Sequence, residues 1–243
     1  MSFEVLVVCT ANICRSPAGE TVLRSRLADR GFDDTGVRVS SAGVAARAGA
    51  AACDLSTALV AGLLGPDSVG LATPADAHSA RLLTAQLVAS SDLILTADRR
   101  HRNRVAELAP AARKRTFTLL QAARTAEWIC ADGSVLAVAD TRAGGGQVEL
   151  DPGDHRHGVP ALPPDPLNRL AWLVEEMDAA RGVAPNPEGI EGVWDADDVP
   201  DPHVVGFSIH ADAIERMSGA AQTLADALWA VVTTPVRSGT AIP

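Results

Sequence analysis

Short apolar runs along the chain predict β-strands. Residues 3–9 (FEVLVVC) are apolar on both faces of an extended chain, which is typical of a strand in a parallel sheet that helices cover on both sides. Later runs of the same kind predict three more strands, at residues 37–41, 93–96 and 114–119. Each predicted strand is short, as expected for a buried sheet.

Helical patterns separate the predicted strands. Ser16 and Pro17 are expected to begin the first helix, as its N-cap and first helical residue, and Asp98 to cap a helix that ends near Leu108. Other helical patterns lie at residues 55–64, 80–90, 167–177 and 214–231. The alternation predicts an α/β protein with a doubly wound, four-stranded parallel sheet and helices on both faces. Ligands bind such sheets where the winding direction switches, and Cys9 lies there if the first strand is central.

Two stretches interrupt this alternation. Residues 131–164 are rich in glycine and proline, and they predict an inserted loop. A second irregular stretch runs from about residue 182 to residue 207. Because 47% of the residues are hydrophobic, enough for one sizeable core, residues 1–243 are expected to form a single domain that carries these insertions.

Composition narrows the class of protein. The net charge of −9 makes a nucleic-acid or anionic-membrane partner unfavourable. The first apolar run is too short for a signal peptide or a membrane span, and four cysteines in 243 residues do not form a disulfide framework, so a reducing cytoplasm is expected. Residues 154–157 (DHRH) contain two histidines without a complete ligand set. We therefore expect no metal and no cofactor.

The segment CTANICRS, residues 9–16, has the chemistry of a phosphate-binding loop. Five residues between Cys9 and Arg15 let the backbone curl so that successive N–H groups point at an anion. The N-terminus of the following helix favours a thiolate at Cys9. Arg15 can grip two phosphate oxygens with its planar guanidinium, and Ser16 can donate a hydrogen bond to the sulfur. This combination predicts a nucleophilic cysteine rather than a structural one.

The segment VVCTANICRSP resembles the signature of the low-molecular-weight protein tyrosine phosphatase family, and it lies near the N-terminus as in that family. Three later segments fall in the family's order: SSAG at 40–43, AHSAR at 77–81 and DLILTAD at 92–98. The resemblance covers about residues 3–125 and 166–233. It implies a phosphatase that hydrolyses phosphotyrosine in proteins, or related aryl phosphomonoesters, through a cysteinyl-phosphate, with a phosphorylated protein as its partner.

The resemblance also implies roles for individual residues. Cys9 would be the nucleophile, and Arg15 would hold the phosphoryl group. The other residues of the loop that would bind the phosphate are Thr10, Ala11, Asn12, Ile13, Cys14 and Ser16. Asn12, Ser41 and His78 would form the hydrogen-bond network that shapes the loop.

Two loop positions raise separate questions. Residue 11 is alanine where the family usually has glycine, so it is strained if that position needs a positive φ. Cys14 is either a resolving partner that forms a reversible disulfide with Cys9 or a small buried residue at the start of the helix. Cys53 and Cys130 are expected in the core, and His101 and His210 on helix surfaces.

In this family an aspartate followed by proline, late in the chain, supplies the proton for the leaving group. The sequence has three such pairs. Asp151, followed by Pro-Gly, is a turn signal. Asp165 directly precedes a helical pattern, where it is well explained as an N-cap. Asp201 lies on a loop before the last helix, as the family's acid does, and it is favoured, with Asp165 as the alternative.

Other activities on the same fold compete with this interpretation. Thiol-coupled arsenate reductases need further cysteines where this chain has Leu-Thr-Ala-Asp at 95–98, so that activity is rejected. Phosphoarginine phosphatases tend to have threonine where this chain has Ile13, and they remain the alternative. A non-catalytic phosphate-binding module is disfavoured because the cysteine, the arginine and an acid are all present. The family's aromatic walls are replaced by residues 45–47 (AAR) and 203–204 (HV), so phosphotyrosine should be held less tightly.

Overall fold

A computed structural model of the chain describes residues 2–33, 36–65, 78–131, 135–149, 154–185 and 196–235. Ala77 and the pair Asp151–Pro152 lie outside these ranges. The described part contains a four-stranded parallel sheet, built from β1 (Phe3–Cys9), β2 (Val37–Gly43), β3 (Leu93–Thr96) and β4 (Thr116–Thr118). The spatial order is β2-β1-β3-β4, so β1 is central and the winding direction switches beside it. The predicted doubly wound parallel sheet is confirmed.

Helices cover both faces of the sheet. Those in the described residues are α1 (Arg15–Ala28), α2 (Asp54–Leu64), α3 (Ala85–Ala89), α4 (Arg99–Leu108), α5 (Leu119–Cys130), α6 (Val135–Ala143), α7 (Pro166–Ala179), α8 (Pro202–Val205) and α9 (His210–Thr233). On β1, alternate side chains point to opposite faces. Val5 and Val7 enter a large core with α1, α5, α7 and α9, whereas Leu6 and Val8 enter a smaller core with α3 and α4. None of the described helices is long and apolar enough to cross a membrane.

Two local expectations about helices are wrong. The first helix begins at Arg15, so Cys14 occupies the N-cap position and makes no side-chain cap, while Ser16 lies inside the helix. The predicted helix at 80–90 is reduced to α3, because the residues before it extend along the end of β2. There Gly43 donates its N–H to Arg81 O at 3.0 Å and accepts from Leu83 N at 2.8 Å. These sheet-like bonds outcompete the local helical pattern.

The stretch at 131–164, predicted as an inserted loop, contains a helix among its described residues. Its described residues include α6, where Val135, Leu136, Val138 and Ala139 are buried in the large core. The sequence pattern also missed α5, which immediately follows β4. In the second irregular stretch the described residues include α8 and, after it, a 3-10 turn that leads into α9.

Candidate active site

The loop between β1 and α1 brings the first turn of α1 back to the sulfur of Cys9. Cys9 is the last residue of β1 and is buried, with its Sγ 3.0 Å from Ser16 Oγ. The N-terminus of α1 therefore faces the sulfur, and the macrodipole of this helix favours negative charge there. A hydroxyl in contact with the sulfur can stabilise a thiolate further.

The side chain of Asn12 holds the loop together from within. Asn12 is fully buried, and its Nδ2 donates to Ser16 Oγ at 2.9 Å and to Ser41 Oγ at 2.8 Å. The side-chain Oδ1 of Asn12 accepts from the backbone N–H of Arg81 at 2.9 Å. His78 Nε2 lies 2.8 Å from the backbone carbonyl oxygen of Asn12. The structure therefore brings together the three residues that the resemblance assigns to a supporting network, and it adds the backbone of Arg81.

The backbone of the loop explains which residues it accepts. Among the described residues, Asn12 is the one non-glycine residue with a positive φ, at 55°, and asparagine tolerates this conformation. Ala11 does not share it, so the strain considered for alanine at that position is absent. Gly43, at the end of β2, lies directly against the loop: a Cβ there would be 2.6 Å from Thr10 O and 2.7 Å from Asn12 N. The sequence interpretation missed this contact, although glycine directly after a predicted strand was a usable signal.

Arg15 joins the loop to two carboxylates. Its side chain is only 3% exposed. Nη1 donates to Val199 O at 3.1 Å and to Asp98 Oδ2 at 3.3 Å, and Nη2 donates to Thr10 Oγ1 at 3.0 Å and to Asp201 Oδ2. The guanidinium therefore holds the favoured acid, Asp201, next to the loop that carries the cysteine.

Backbone contacts position the segment that carries Asp201. Val199 N donates to Ala97 O at 2.8 Å, at the end of β3, and Arg99 N donates to Asp198 Oδ1 at 3.0 Å. The carboxylate of Asp201 also caps α8 by accepting from His203 N at 3.0 Å. This segment therefore packs on the same edge of the sheet as the loop after β1.

Asp98 and His101 form a second polar group at the site. Asp98 caps α4, as predicted, by accepting from Arg100 N and His101 N. His101 is buried, which contradicts its expected surface position; its Nε2 lies 2.9 Å from Thr10 Oγ1 and its Nδ1 3.0 Å from Asp98 Oδ1. Burial raises the pKa of the Asp98 carboxyl, but contacts with His101 and the charge of Arg15 outweigh it and hold that pKa well below its ordinary range. Asp98 is therefore a permanent negative charge beside Arg15.

Asp165 has a different environment from Asp201. It is exposed and caps α7, since its Oδ1 accepts from Asn168 N at 3.0 Å. This is the helix-capping role that explains an Asp-Pro pair without catalysis. Of the two described Asp-Pro aspartates, Asp201 is therefore the one that contacts Arg15.

Cys14 points away from the phosphate loop's interior. It is buried, with Sγ 2.7 Å from Ser56 Oγ, and burial raises the pKa of its thiol to about 12. Cys14 and Cys9 are both free thiols in the structure. Ile13 O accepts a hydrogen bond from Cys53 N at 2.6 Å, so the same loop is tied to the start of α2.

The burial of the remaining cysteines and of His210 differs from the sequence-based prediction. Cys53 is half-buried at the N-cap of α2, and Cys130 is half-buried at the end of α5. His210, expected on a helix surface, is only 1% exposed at the start of α9. The surface prediction failed because the His210 ring lies against Cys53 at the N-cap of α2, with Nε2 3.7 Å from the Cys53 sulfur.

A strand-loop-helix phosphate cradle that holds a cysteine, with an arginine six residues later and an aspartate on that arginine, defines a cysteine-dependent phosphatase. Comparison with known proteins agrees with this class. A family model described as low molecular weight phosphotyrosine protein phosphatase matches residues 4–132, which is more than half of the chain. The chain belongs to that family.

Individual relatives and solved structures that resemble this chain are phosphatases of the same fold. The low molecular weight protein-tyrosine-phosphatase Etp of Escherichia coli K12 is 41% identical over 114 residues, which are 47% of this chain and 67% of Etp. The solved structure of the tyrosine phosphatase AmsI from Erwinia amylovora matches with a TM-score of 0.52 at 21% identity, covering 93% of each chain. A structure of the YwlE arginine phosphatase matches with a TM-score of 0.51 at 18% identity, covering 92% of this chain and 94% of the YwlE chain. At these identities the structural matches concern the fold alone.

Proposed function

We propose that the chain hydrolyses phosphotyrosine in proteins, or related aryl phosphomonoesters, with Cys9 as nucleophile, Arg15 as phosphate ligand and Asp201 as general acid. The observation that carries this proposal is the position of Arg15, whose guanidinium bonds to both the loop at Thr10 and the carboxylate of Asp201. Family membership and the tyrosine phosphatase names of relatives such as Etp support the substrate class. The free thiols of the loop suit a reducing cytoplasm.

The proposed reaction has two displacements at phosphorus. In the first, the Cys9 thiolate attacks, the bond from phosphorus to the aryl oxygen breaks, and protonated Asp201 gives its proton to that oxygen. In the second, a water molecule gives a proton to the Asp201 carboxylate and attacks the cysteinyl-phosphate, which releases inorganic phosphate and the thiolate. Arg15 and the backbone N–H groups stabilise the equatorial oxygens in both steps.

Binding of phosphate changes the partner of Arg15 in this scheme. The guanidinium contacts Asp201 in the structure, and two phosphoryl oxygens would take over that position as bidentate ligands. Asp201 would then face the leaving oxygen instead of the arginine. Asp98 would stay beside Arg15, whose Nη1 donates to the Asp98 Oδ2.

Among the described residues, charged side chains of both signs and aliphatic side chains line the cleft beside Arg15. Val204 is 81% exposed at its rim, and Ala45 and Arg47 are exposed after β2. Arg99 and Arg100, on the first turn of α4, line the cleft together with Asp98 and Asp198, and Arg99 pairs with Asp198. The described part of the lining therefore offers a phenyl ring few flat surfaces to pack on.

The first experiment measures kcat/KM on matched phosphotyrosine and phosphoarginine peptides. We expect the phosphotyrosine peptide to be turned over faster, and Cys9→Ser to abolish turnover of both while it still binds inorganic phosphate, since the cradle is mostly backbone. Faster turnover of phosphoarginine would assign the chain to the alternative activity. Phosphate binding without turnover of any substrate would make it a non-catalytic module.

A second experiment tests the acid by comparing Asp201→Asn with Asp165→Asn. Both substitutions can keep a helix cap, because asparagine is as good an N-cap as aspartate. We expect Asp201→Asn to slow hydrolysis of tyrosine phosphate by about a hundredfold or more and to slow nitrophenyl phosphate less, since nitrophenolate leaves without a proton. Asp165→Asn should leave both rates unchanged. The reverse pattern would make Asp165 the acid.

A further inference from the structure

Four potential metal ligands meet beside the phosphate loop, at the starts of α1, α2 and α9 and on α8. They are two cysteines and two histidines: Cys14, Cys53, His203 and His210. The ligand atoms, one from each side chain, all lie within 4.8 Å of one another. The expectation of no metal concerned the histidines at residues 154–157. The members of this cluster come from four separate elements, so they have no common spacing pattern in the sequence.

The distances suit a tetrahedral ion. Zinc binds sulfur at about 2.3 Å and imidazole nitrogen at about 2.0–2.1 Å, so neighbouring ligand atoms on a zinc tetrahedron are about 3.3–3.8 Å apart. Cys53 Sγ already lies 3.7 Å from His210 Nε2. The two imidazole rings are nearly perpendicular, at 82°, with centroids 5.1 Å apart, an arrangement in which both rings can aim a nitrogen at one point. The longest separation therefore needs a contraction of only about 1 Å.

The surrounding structure holds the ligands close before any ion binds. Cys53 N donates to Ile13 O at 2.6 Å, which fixes the start of α2 against the end of the loop beside Cys14. His210 is buried at the first turn of α9. Ser56 Oγ lies 2.7 Å from Cys14 Sγ, where its hydroxyl could donate to a metal-bound thiolate. His203 is exposed, so an ion has a route from solvent.

We propose that Cys14, Cys53, His203 and His210 bind one Zn²⁺ in a closed Cys2His2 site. Four protein ligands leave no open position for water or substrate, which is the pattern of a structural rather than a catalytic zinc. Two thiolates and two imidazoles also prefer zinc to the oxygen-seeking cations magnesium and calcium. The site needs no phosphatase activity to exist.

The ion would join the two halves of the candidate active site. Cys14 directly precedes Arg15 at the end of the phosphate loop, and His203 follows Asp201 by two residues. A zinc ion bound to both would fix the distance between the loop and the acid segment. The order of the acid segment would then depend on metal as well as on the ion pair of Arg15 with Asp201.

Metal content tests the proposal directly. The reduced full-length chain is loaded with Zn²⁺, dialysed, and measured by mass spectrometry of the metal; Co²⁺ is bound in parallel as a spectroscopic probe. We expect one metal per chain, a visible absorption typical of tetrahedral cobalt, and thiolate-to-cobalt charge transfer. Cys53→Ser and His203→Gln should each weaken binding about a hundredfold or more, since even indirect partners of a metal contribute ten- to a hundredfold.

Two control variants exclude other sites. Cys130→Ser removes a cysteine outside the cluster and should bind one metal, as should Cys9→Ser, which removes the candidate nucleophile. Circular dichroism of each variant checks folding, and the exposed position of His203 makes His203→Gln the variant least able to disturb the core. Absence of stoichiometric metal in the wild-type chain would overturn the proposal. The proposal would also be overturned if metal binding were lost in Cys9→Ser but kept in Cys53→Ser and His203→Gln.

Discussion

Replacement of Gly43 by alanine should damage catalysis through the shape of the phosphate loop. Gly43 ends β2, and its φ is not in the left-handed region, so alanine is compatible with the backbone at this position. The added Cβ, however, would lie 2.6 Å from Thr10 O, 2.7 Å from Asn12 N and 2.9 Å from the carbonyl carbon of Ala11. All three are backbone atoms, so no side chain can rotate away to relieve the clash.

The size of the effect follows from these distances. Cβ contacts under 3.0 Å essentially never occur in proteins, so the loop or the strand must move by several tenths of an ångström. Overpacking of this kind costs about 1–3 kcal/mol of stability, which lowers the melting temperature by roughly 2–12 °C at about 2–4 °C per kcal/mol for a chain of this size. Because misplacing a reacting group by about 1 Å can cost roughly a hundredfold in rate, we expect kcat/KM to fall ten- to a hundredfold.

The assay compares Gly43→Ala with Gly36→Ala on an aryl phosphate, with melting curves for both. Gly36 directly precedes β2, and its added Cβ would meet Asp33 atoms only at 3.8 Å, an ordinary contact. We expect Gly36→Ala to keep its activity and Gly43→Ala to lose it even well below its melting temperature. Wild-type kcat/KM in folded Gly43→Ala would refute the reasoning, because the loop would then not depend on close approach of β2.

Two further substitutions test the charges of the site. Arg15→Lys keeps the charge but loses the bidentate fork, so we expect a loss of about 3 kcal/mol of transition-state stabilisation, or roughly a hundredfold in kcat/KM on an aryl phosphate; a near-wild-type value would mean that another group holds the phosphate. Asp98 has a lowered pKa in the folded chain, so its contribution to stability is present above its unfolded pKa of about 3.9 and is lost as the pH falls below it. Asp98→Asn keeps the cap of α4, and the melting temperature of this variant should fall less between pH 5 and pH 3 than that of the wild type. Equal falls in melting temperature would show that Asp98 does not contribute to the loss of stability at low pH.

The sheet and the loop were predictable because local patterns determine them. A central parallel strand is buried on both faces, so FEVLVVC contains no polar alternation and marks β1 without knowledge of its neighbours. The loop is equally local, since the cysteine, the arginine and the start of α1 lie within seven residues. For the same reason Asp98 was recognisable as a helix cap.

Features that depend on contacts between distant segments were not predictable. Residues 80–84 have a helical pattern but pair with Gly43, and nothing in their own sequence reveals that partner. His101 was placed on a surface because its contact with Thr10 crosses 91 residues of the chain. The Cys2His2 cluster depends on the packing of α2 and α9, so its four members have no common motif.

The long separation of Asp201 from Cys9 in sequence is not an obstacle to their meeting in the fold. The family model ends at residue 132, so the proposed acid lies beyond it, after α6 and α7. Doubling the length of a flexible loop adds only about 0.6 kcal/mol to the free-energy cost of closing it. In addition, α6 and α7 pack into the large core, which shortens the flexible part of this connection. Against this, Val199 alone makes two backbone hydrogen bonds at the site, one to Ala97 and one to Arg15, each worth about 0.5–1.5 kcal/mol. These contacts outweigh the added entropic cost of closure, so the chain between residue 132 and Asp201 can be long while the segment at 198–201 keeps its place beside Arg15.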